Sequence, residues 1–438
     1  MKIMKKIATI LTLFLLIVGT TACDDMLDDG VTTTAPKLSL VYPDGMEGLV
    51  IESERIEVKN ISTGRSIIYT DQDDIELRLG LYDISYEAEM TYGNGDRYHL
   101  IGYQPSVTLT PTSRDVSIQL YQTVDNDDFI IQEVFFTGTL QSSGNSYVGD
   151  DYIKIYNNTD HVLYADGLSI VESKFVTTEK YDYDPDVMNE AMTVHAIYTI
   201  PGSGKEHPVQ PGESLLICDT GIDHRTANPN SFDLSGADFE WYDVSTQPAH
   251  LDIDGPTVPN LDKWYCYTQS FFMLHNRGFK AWALARIPID KDQYLANYLY
   301  RYNYTMVLPA GTFPMSQTAY KLPNAWIVDA VNCSVASNRA WNVTSPELDR
   351  GWAHCGEIDK DRNRFFHSVR RKLLFVKNGK AIFKDTNNSS DDFNSDVVAS
   401  EIELQGTTIS ASGTKATTVT YDGITPVNPA TPSSDQPK

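Results

Sequence analysis

Basic residues are scarce in this chain. Its 438 residues carry 35 Lys plus Arg against 59 Asp plus Glu, a formal charge of −24. A surface of that sign repels phosphate backbones, which sets nucleic-acid binding aside. Cysteine is also sparse, with five in the whole sequence, so a small disulfide-stapled scaffold is excluded. No H-E-x-x-H, G-x-S-x-G, Walker A or G-x-G-x-x-G stretch occurs, so each of those chemistries lacks its local signature. Beyond the N-terminus no apolar run is long enough to cross a bilayer. What remains is globular: 41% hydrophobic residues, 21% charged, 25 Tyr, 16 Phe and 6 Trp. That composition supports a sizeable core and two or three domains.

Lys2, Lys5 and Lys6 precede an apolar run at 7–18 that is too short for a mature membrane helix. Gly19-Thr20-Thr21-Ala22-Cys23 follows. This resembles a bacterial lipoprotein signal, with Thr20 where Leu is usual. The resemblance implies removal of residues 1–22 and acylation of Cys23; an ordinary secretory signal with a chance cysteine is the alternative. Asp24, Asp25, Asp28 and Asp29 come next, similar to the surface-export signal of lipoproteins from anaerobic gut Gram-negative bacteria. The expectation is a lipid-anchored outer-membrane protein facing outward on an acidic tether, residues 23–36; a periplasm-facing lipoprotein is the alternative. In an exported chain Cys218, Cys266, Cys333 and Cys355 have three pairings open to them, and a Cys333–Cys355 loop stands beside buried free thiols as an expectation.

Residues 37–122 show strands of period two, such as Tyr82, Ile84, Tyr86 and Ala88, separated by turn residues. Within them Asn60, Thr63-Gly64, Thr70-Asp71 and Gly80-Leu81-Tyr82 follow in order. This resembles the transthyretin-like or carboxypeptidase-regulatory β-sandwich, although Asp73-Asp74 stand where that pattern has a glycine. The resemblance implies a structural spacer. Asp125-Asn126-Asp127-Asp128 reads as a linker.

Residues 127–408 carry a second set of signals. Asp151-Tyr152-Ile153-Lys154-Ile155-Tyr156 opens a strand and leads to Asn157, Asn158 and Gly167. Pro211-Gly212, Asn276-Arg277-Gly278, Val328-Asp329-Ala330-Val331 and Ser368-Val369-Arg370-Arg371 follow. The series resembles the lamin-tail domain, an immunoglobulin-like sandwich, with Lys154 replacing a Glu and long insertions at about 174–208, 219–268, 288–322 and 335–365. The fold expected is all-β, two tandem β-sandwich domains, with a frayed tail over 422–438. As a whole the chain is similar to an uncharacterised lipoprotein family of such bacteria, which implies no established activity.

Chemistry is faint by comparison. The stretch 219–243 crowds Asp223, His224, Asp233, Asp238 and Glu240 around Trp241 and Tyr242. Aromatic faces beside carboxylates stack on a sugar ring and accept its hydroxyl donors; oxygen ligands at this density also suit calcium, although the EF-hand order is missing; a turn-capped loop folded back on the sandwich is the plainer reading. Asp182, Asp184 and Asp186 alternate with Tyr181 and Tyr183 and read as a solvated loop. Arg362, Arg364, Arg370, Arg371 and Lys372 concentrate positive charge, read mainly as pairing with local acids. No cofactor and no metal is expected. The leading expectation is a non-enzymatic surface lipoprotein that binds a ligand or partner, such as an outer-membrane transporter barrel. The alternative is a glycan- or phosphoester-acting hydrolase using carboxylates of 219–243.

Overall fold

The computed structural model describes residues 32–424 apart from 94, 114, 125 and 246–251. The signal segment, Cys23 and most of the acidic tether lie outside the described residues, as does 425–438. The chain divides into two compact units between Tyr121 and Gln122.

In the first unit, β1 (Lys37–Val41), β2 (Val50–Asn60), β3 (Ser66–Tyr69), β4 (Gly80–Thr91), β5 (Arg97–Leu109) and β6 (Asp115–Thr123) form one sheet in the order β1-β6-β5-β4-β2-β3. Alternation positions the core: Tyr82, Ile84, Tyr86, Ala88 and Met90 are buried while the residues between them are not. The motif residues have local jobs. Asn60 Oδ1 accepts from the Thr63 amide at 2.9 Å, and Gly64 turns the chain at φ +70. Asp71 caps a short helical turn by accepting from the Asp73 amide. Thr33–Thr34 pairs with Leu77–Arg78, so the expected tether is already part of a ladder there.

The second unit is a sandwich of two sheets. One has the order β12-β11-β8-β7-β19-β20, from β7 (Ile130–Phe135), β8 (Tyr152–Tyr156), β11 (Ser214–Cys218), β12 (Phe239–Glu240), β19 (His367–Arg371) and β20 (Phe393–Val398). The other has the path β15-β16-β10-β9-β14-β17-β18. Its strands are β9 (Leu168–Ser173), β10 (Ala191–Thr199), β14 (Ala281–Arg286), β15 (Leu299–Leu308), β16 (Gly311–Pro323), β17 (Ile327–Ser334) and β18 (Ala353–His354), with β13 (Asp262–Cys266) pairing with β10. Ile131, Ile153, Ile155 and Ile217 of the first sheet meet Ile170, Trp282, Leu284 and Val331 of the second.

Both sheets are covered on their outer faces as well. Tyr152 and Phe135 pack under Phe365, Ala399 and Ile402, while Val171, Ala283 and Val194 pack under Tyr294 and Tyr302. Two-sided burial explains why all five residues of β8 are buried. The expected insertions are therefore not loops: they supply β10, β13, β15, β16 and the helix α1 (Lys291–Asn297). The expected linker is also built in, since Asn126 donates to the Val328 carbonyl and Asp128 holds Arg286 at 2.8 Å. At the other end Asp422 is buried and accepts from the Leu373 amide, so the chain stays packed past the point where a frayed tail was expected to start.

Arg370 and Arg371 are internal. Arg371 reaches Asp329 at 2.5 Å and Asp385 at 3.1 Å, and Arg370 reaches Glu403 at 2.8 Å, all nearly inaccessible to solvent.

Candidate functional site

The residues singled out in 219–243 come together, but as scaffold. Asp223 and Asp233 both bind Arg225, at 2.7 and 3.1 Å. Asp223 also caps the turn His224–Thr226. The buried His224 ring sits between the Tyr147 hydroxyl at 2.7 Å and the Thr220 carbonyl at 2.8 Å. Asp238 accepts from the Leu216 amide at 2.7 Å. Glu240 is fully buried, its two oxygens accepting from the amides of Gly221 at 2.5 Å and Gly255 at 2.6 Å. Trp241 is 1% exposed and packs edge-on to Phe272; Tyr242 is half-buried. A long insertion folded onto a sandwich leaves backbone amides without strand partners, and its carboxylates satisfy them. That demand takes Glu240 inward, while Asp223 and Asp233 stay half-exposed on Arg225 and Asp238 stays exposed.

Cys333, Cys355 and Cys266 are free, buried thiols in the inter-sheet core and Cys218 is one under the outer cover, so the expected disulfide is replaced by the thiol alternative. Burial pushes all four thiols upward, which makes them inert as nucleophiles.

A cleft of about 500 Å³ opens over β8 and β11 beside the helix α2 (Ser400–Gln405), with Lys154, Arg370, Glu401 and Thr420 in its walls. Here Lys154 Nζ donates to Ser400 Oγ at 2.6 Å, which invites comparison with a Ser-Lys nucleophile pair. The network is already closed, however. Lys154 is paired with Glu401 at 2.6 Å, and the Ser400 hydroxyl donates to Glu133. Burial would raise the Glu401 carboxyl, but the Lys154 ammonium holds it below its ordinary range. With the Ser400 hydroxyl given to Glu133 and Lys154 held by Glu401, the pair is not arranged for attack.

A second groove, of about 340 Å³, lies between Asp182, Asp184 and the β15–β16 hairpin at Asn303, Tyr304, Thr305 and 314–316. The hairpin is locked to the loop by paired backbone bonds, each 2.9 Å, between Asp184 and Asn303. Behind the groove the aromatic rings form a connected, mostly edge-to-face cluster, of which Tyr304 lines the groove. Phe175 and Tyr183 stack at 4.0 Å, Tyr183 meets Tyr302 at 5.5 Å and Tyr304 at 5.7 Å, and Tyr181 meets Tyr304 at 4.8 Å. Trp341 closes it, donating from Nε1 to the Val176 and Glu179 carbonyls. Burial, then the neighbouring phenols, push the Tyr183 hydroxyl far up, so it stays neutral. Asp182 and Asp184 are exposed, and among the described residues neither carries an ion pair. The sequence signal for this site was the alternation of Tyr181 with Tyr183 and of Tyr300, Tyr302 and Tyr304, which puts each set on one face.

Three further groups, Asp166, Glu206 and His207, bring one ligand atom each within 4.8 Å of one another. Asp166 spends both oxygens on the amides of Gly204, Glu206 and His207, so the trio is a capped turn.

Residues 210–400 match the family model DUF4876, a protein of unknown function. The match spans β11 to the start of α2 and includes the hairpin side of the aromatic groove. A crystal structure of a DUF4876 family protein from Bacteroides thetaiotaomicron VPI-5482 is similar in fold, with a TM-score of 0.56 and 20% identity over 83% of this chain and 95% of that one. No curated protein matches the chain.

Proposed function

We propose that this chain is a non-enzymatic binding protein, anchored at the outer face of the outer membrane through an acylated Cys23. In this reading the groove at Asp182, Asp184 and Tyr304 takes a neutral polyhydroxylated ligand, a segment of glycan. The observation that carries the reading is the Tyr304 ring in the groove wall beside two exposed carboxylates, Asp182 and Asp184, that carry no ion pair among the described residues. A sugar offers an apolar ring face for stacking and hydroxyl hydrogens for carboxylate acceptors, and this groove presents both partners. Hydrolysis by the 219–243 carboxylates is disfavoured because they are engaged with Arg225 and with backbone amides.

The first unit acts as a carboxypeptidase-regulatory-like spacer, and the second as a lamin-tail-like sandwich enlarged by its insertions. The partner is an outer-membrane transporter barrel that receives the captured glycan. Screening the purified protein on a glycan array is expected to give binding that Tyr304→Ala abolishes and Asp184→Ala weakens at least tenfold, by about 1.4 kcal/mol or more. A broad array with no binder, or binding untouched by either change, sinks the reading. Co-purification from mild-detergent outer membranes is expected to recover a stoichiometric barrel.

A further inference from the structure

The hairpin of β15 and β16 outgrows the sheet it belongs to. β10 pairs with β16 only from Tyr320 to Pro323, and the loop carrying Asp184 meets β15 at Asn303. Beyond those contacts, among the described residues, the two strands pair only with each other. Thr305 stands opposite Pro314, Met306 opposite Phe313 and Leu308 opposite Gly311, with Pro309 and Ala310 making the turn.

This outer part is unlike the rest of the chain. Charged residues make up 21% of the sequence, yet none occurs between Arg301 and Lys321. Val307 is 73% exposed, Leu308 47% and Phe313 42%. Pro309, Ala310 and Pro314 are exposed as well, and Met306 and Met315 are half-buried. The two-residue period puts Tyr304, Met306 and Leu308 on one face, where Met315 and Phe313 join them from the opposite strand. At the base of that face Tyr304 meets Tyr181 at 4.8 Å, both rings half-buried.

Contiguous exposed apolar side chains mark a contact with protein or with membrane, and the chemistry of this tip favours the membrane. Protein contacts are anchored by Tyr, Trp and Arg inside a polar rim, and 306–313 holds no Tyr, Trp, Arg or charge of either sign. Pro309 and Pro314 offer no N–H, which works against adding a strand from a second copy or another protein. A bilayer asks for what is present: apolar side chains without charge, and tyrosines behind them at headgroup level. We propose that the tip at 306–313 inserts into the interfacial layer of an electrically neutral bilayer, where water still reaches the open strand edges. This contact belongs to the second unit itself and needs no lipid on Cys23. An anionic bilayer repels so acidic a chain, so the surface it takes is zwitterionic.

Co-flotation with phosphatidylcholine vesicles tests this, using the chain from residue 23 with Cys23→Ser so that no acyl group contributes. The parent should float in low and in high salt, and float less with phosphatidylglycerol vesicles at low salt. Leu308→Asp and Phe313→Asp should each cut the bound fraction about tenfold or more. Both positions are exposed, so circular dichroism should show the fold kept, and Val50→Asp, at an apolar position 60% exposed in the first unit, should float like the parent. An environment-sensitive dye on Ala310→Cys, the four native thiols being buried, should shift to the blue when vesicles are added. Leu308→Asp leaves Tyr304 and Asp184 in place, so vesicle binding and glycan binding fail separately. The proposal is overturned if the parent does not float with phosphatidylcholine vesicles, or if both Asp variants float as it does. It is equally overturned if the tip is instead consumed in a dimer that Leu308→Asp splits in sedimentation, which would make a second copy its occupant.

Discussion

Replacing Arg371 by Met should cripple the second unit in a pH-dependent way. The guanidinium is 1% exposed and binds Asp329 and Asp385, with Asp392 at 3.9 Å. It also donates to the carbonyls of Ile131 at 2.8 Å and Lys384 at 3.0 Å and lies over the Phe393 ring. Met fills most of the space but leaves buried carboxylates without their cation, which typically costs about 3–5 kcal/mol. For a unit of this size that corresponds to a fall of roughly 10 °C in melting temperature. The pH dependence has a definite sign. Burial first, and Asp385 second, raise Asp329 to about 7 in the folded protein despite Arg371. A carboxyl raised above its unfolded value stabilises the fold while protonated and ceases to as pH rises through the folded value. Without Arg371 the carboxyl rises further, so the deficit of Arg371→Met should be larger at pH 8 than at pH 5. Urea unfolding of parent and variant at both values measures it, and Arg371→Lys, which keeps the charge but loses the planar fork, should fall between. A deficit below about 1 kcal/mol, or one equal at both pH values, refutes the reasoning.

Burial, reinforced by Lys280, Lys174 and His275, holds His195 down to about 3. A depressed histidine contributes its stability above the usual 6.5 and loses it as pH falls, by about 1.4 kcal/mol per unit. His195→Gln should therefore flatten the urea-unfolding profile between pH 6.5 and 5, and an unchanged slope contradicts the assignment. The four buried thiols should resist an aromatic disulfide reagent in the native state and react once urea is added; a disulfide-linked Cys333–Cys355 peptide found without reduction would show the thiol assignment wrong. Gly138 turns at φ +68 against the Tyr147 carbonyl, so Gly138→Ala should lose about 1–3 kcal/mol in thermal unfolding; a neutral result would mean the turn relaxes.

The fold was legible where a local rule and a long-range contact coincide. Alternation in β4 predicted its buried face, and the Asn60, Thr63-Gly64 turn chemistry marked the turn that joins β2 to β3, a strand not itself expected. Asp329 and Arg371, noticed as parts of separate motifs, turn out to be partners. The insertions were not legible as strands, because hydrophobic residues buried against an outer cover carry no sandwich pattern of their own. The acids of 219–243 were legible as a cluster and not as caps: a carboxylate that binds a buried amide and one that faces water look alike in sequence. The tyrosine groove escaped for a related reason, since it needs Asp184 and Asn303 to meet across 119 residues that no spacing rule connects. Cysteine spacing likewise says nothing of whether two thiols sit in register for a bond.

The place of β7 in its sheet has a consequence for how the protein is made. β7 lies between β8, which follows it closely, and β19, which arrives so late that Arg371 contacts Ile131 across 240 residues. A chain emerging N-terminus first therefore holds an unpaired apolar strand edge until almost the whole second unit has been threaded out. High contact order slows closure, and an open edge recruits other chains meanwhile. The first unit has all its strands early and is free to fold during synthesis or export. The second must be shielded until β19 is delivered, and a truncation just before residue 367 should give an insoluble product, not a smaller sandwich.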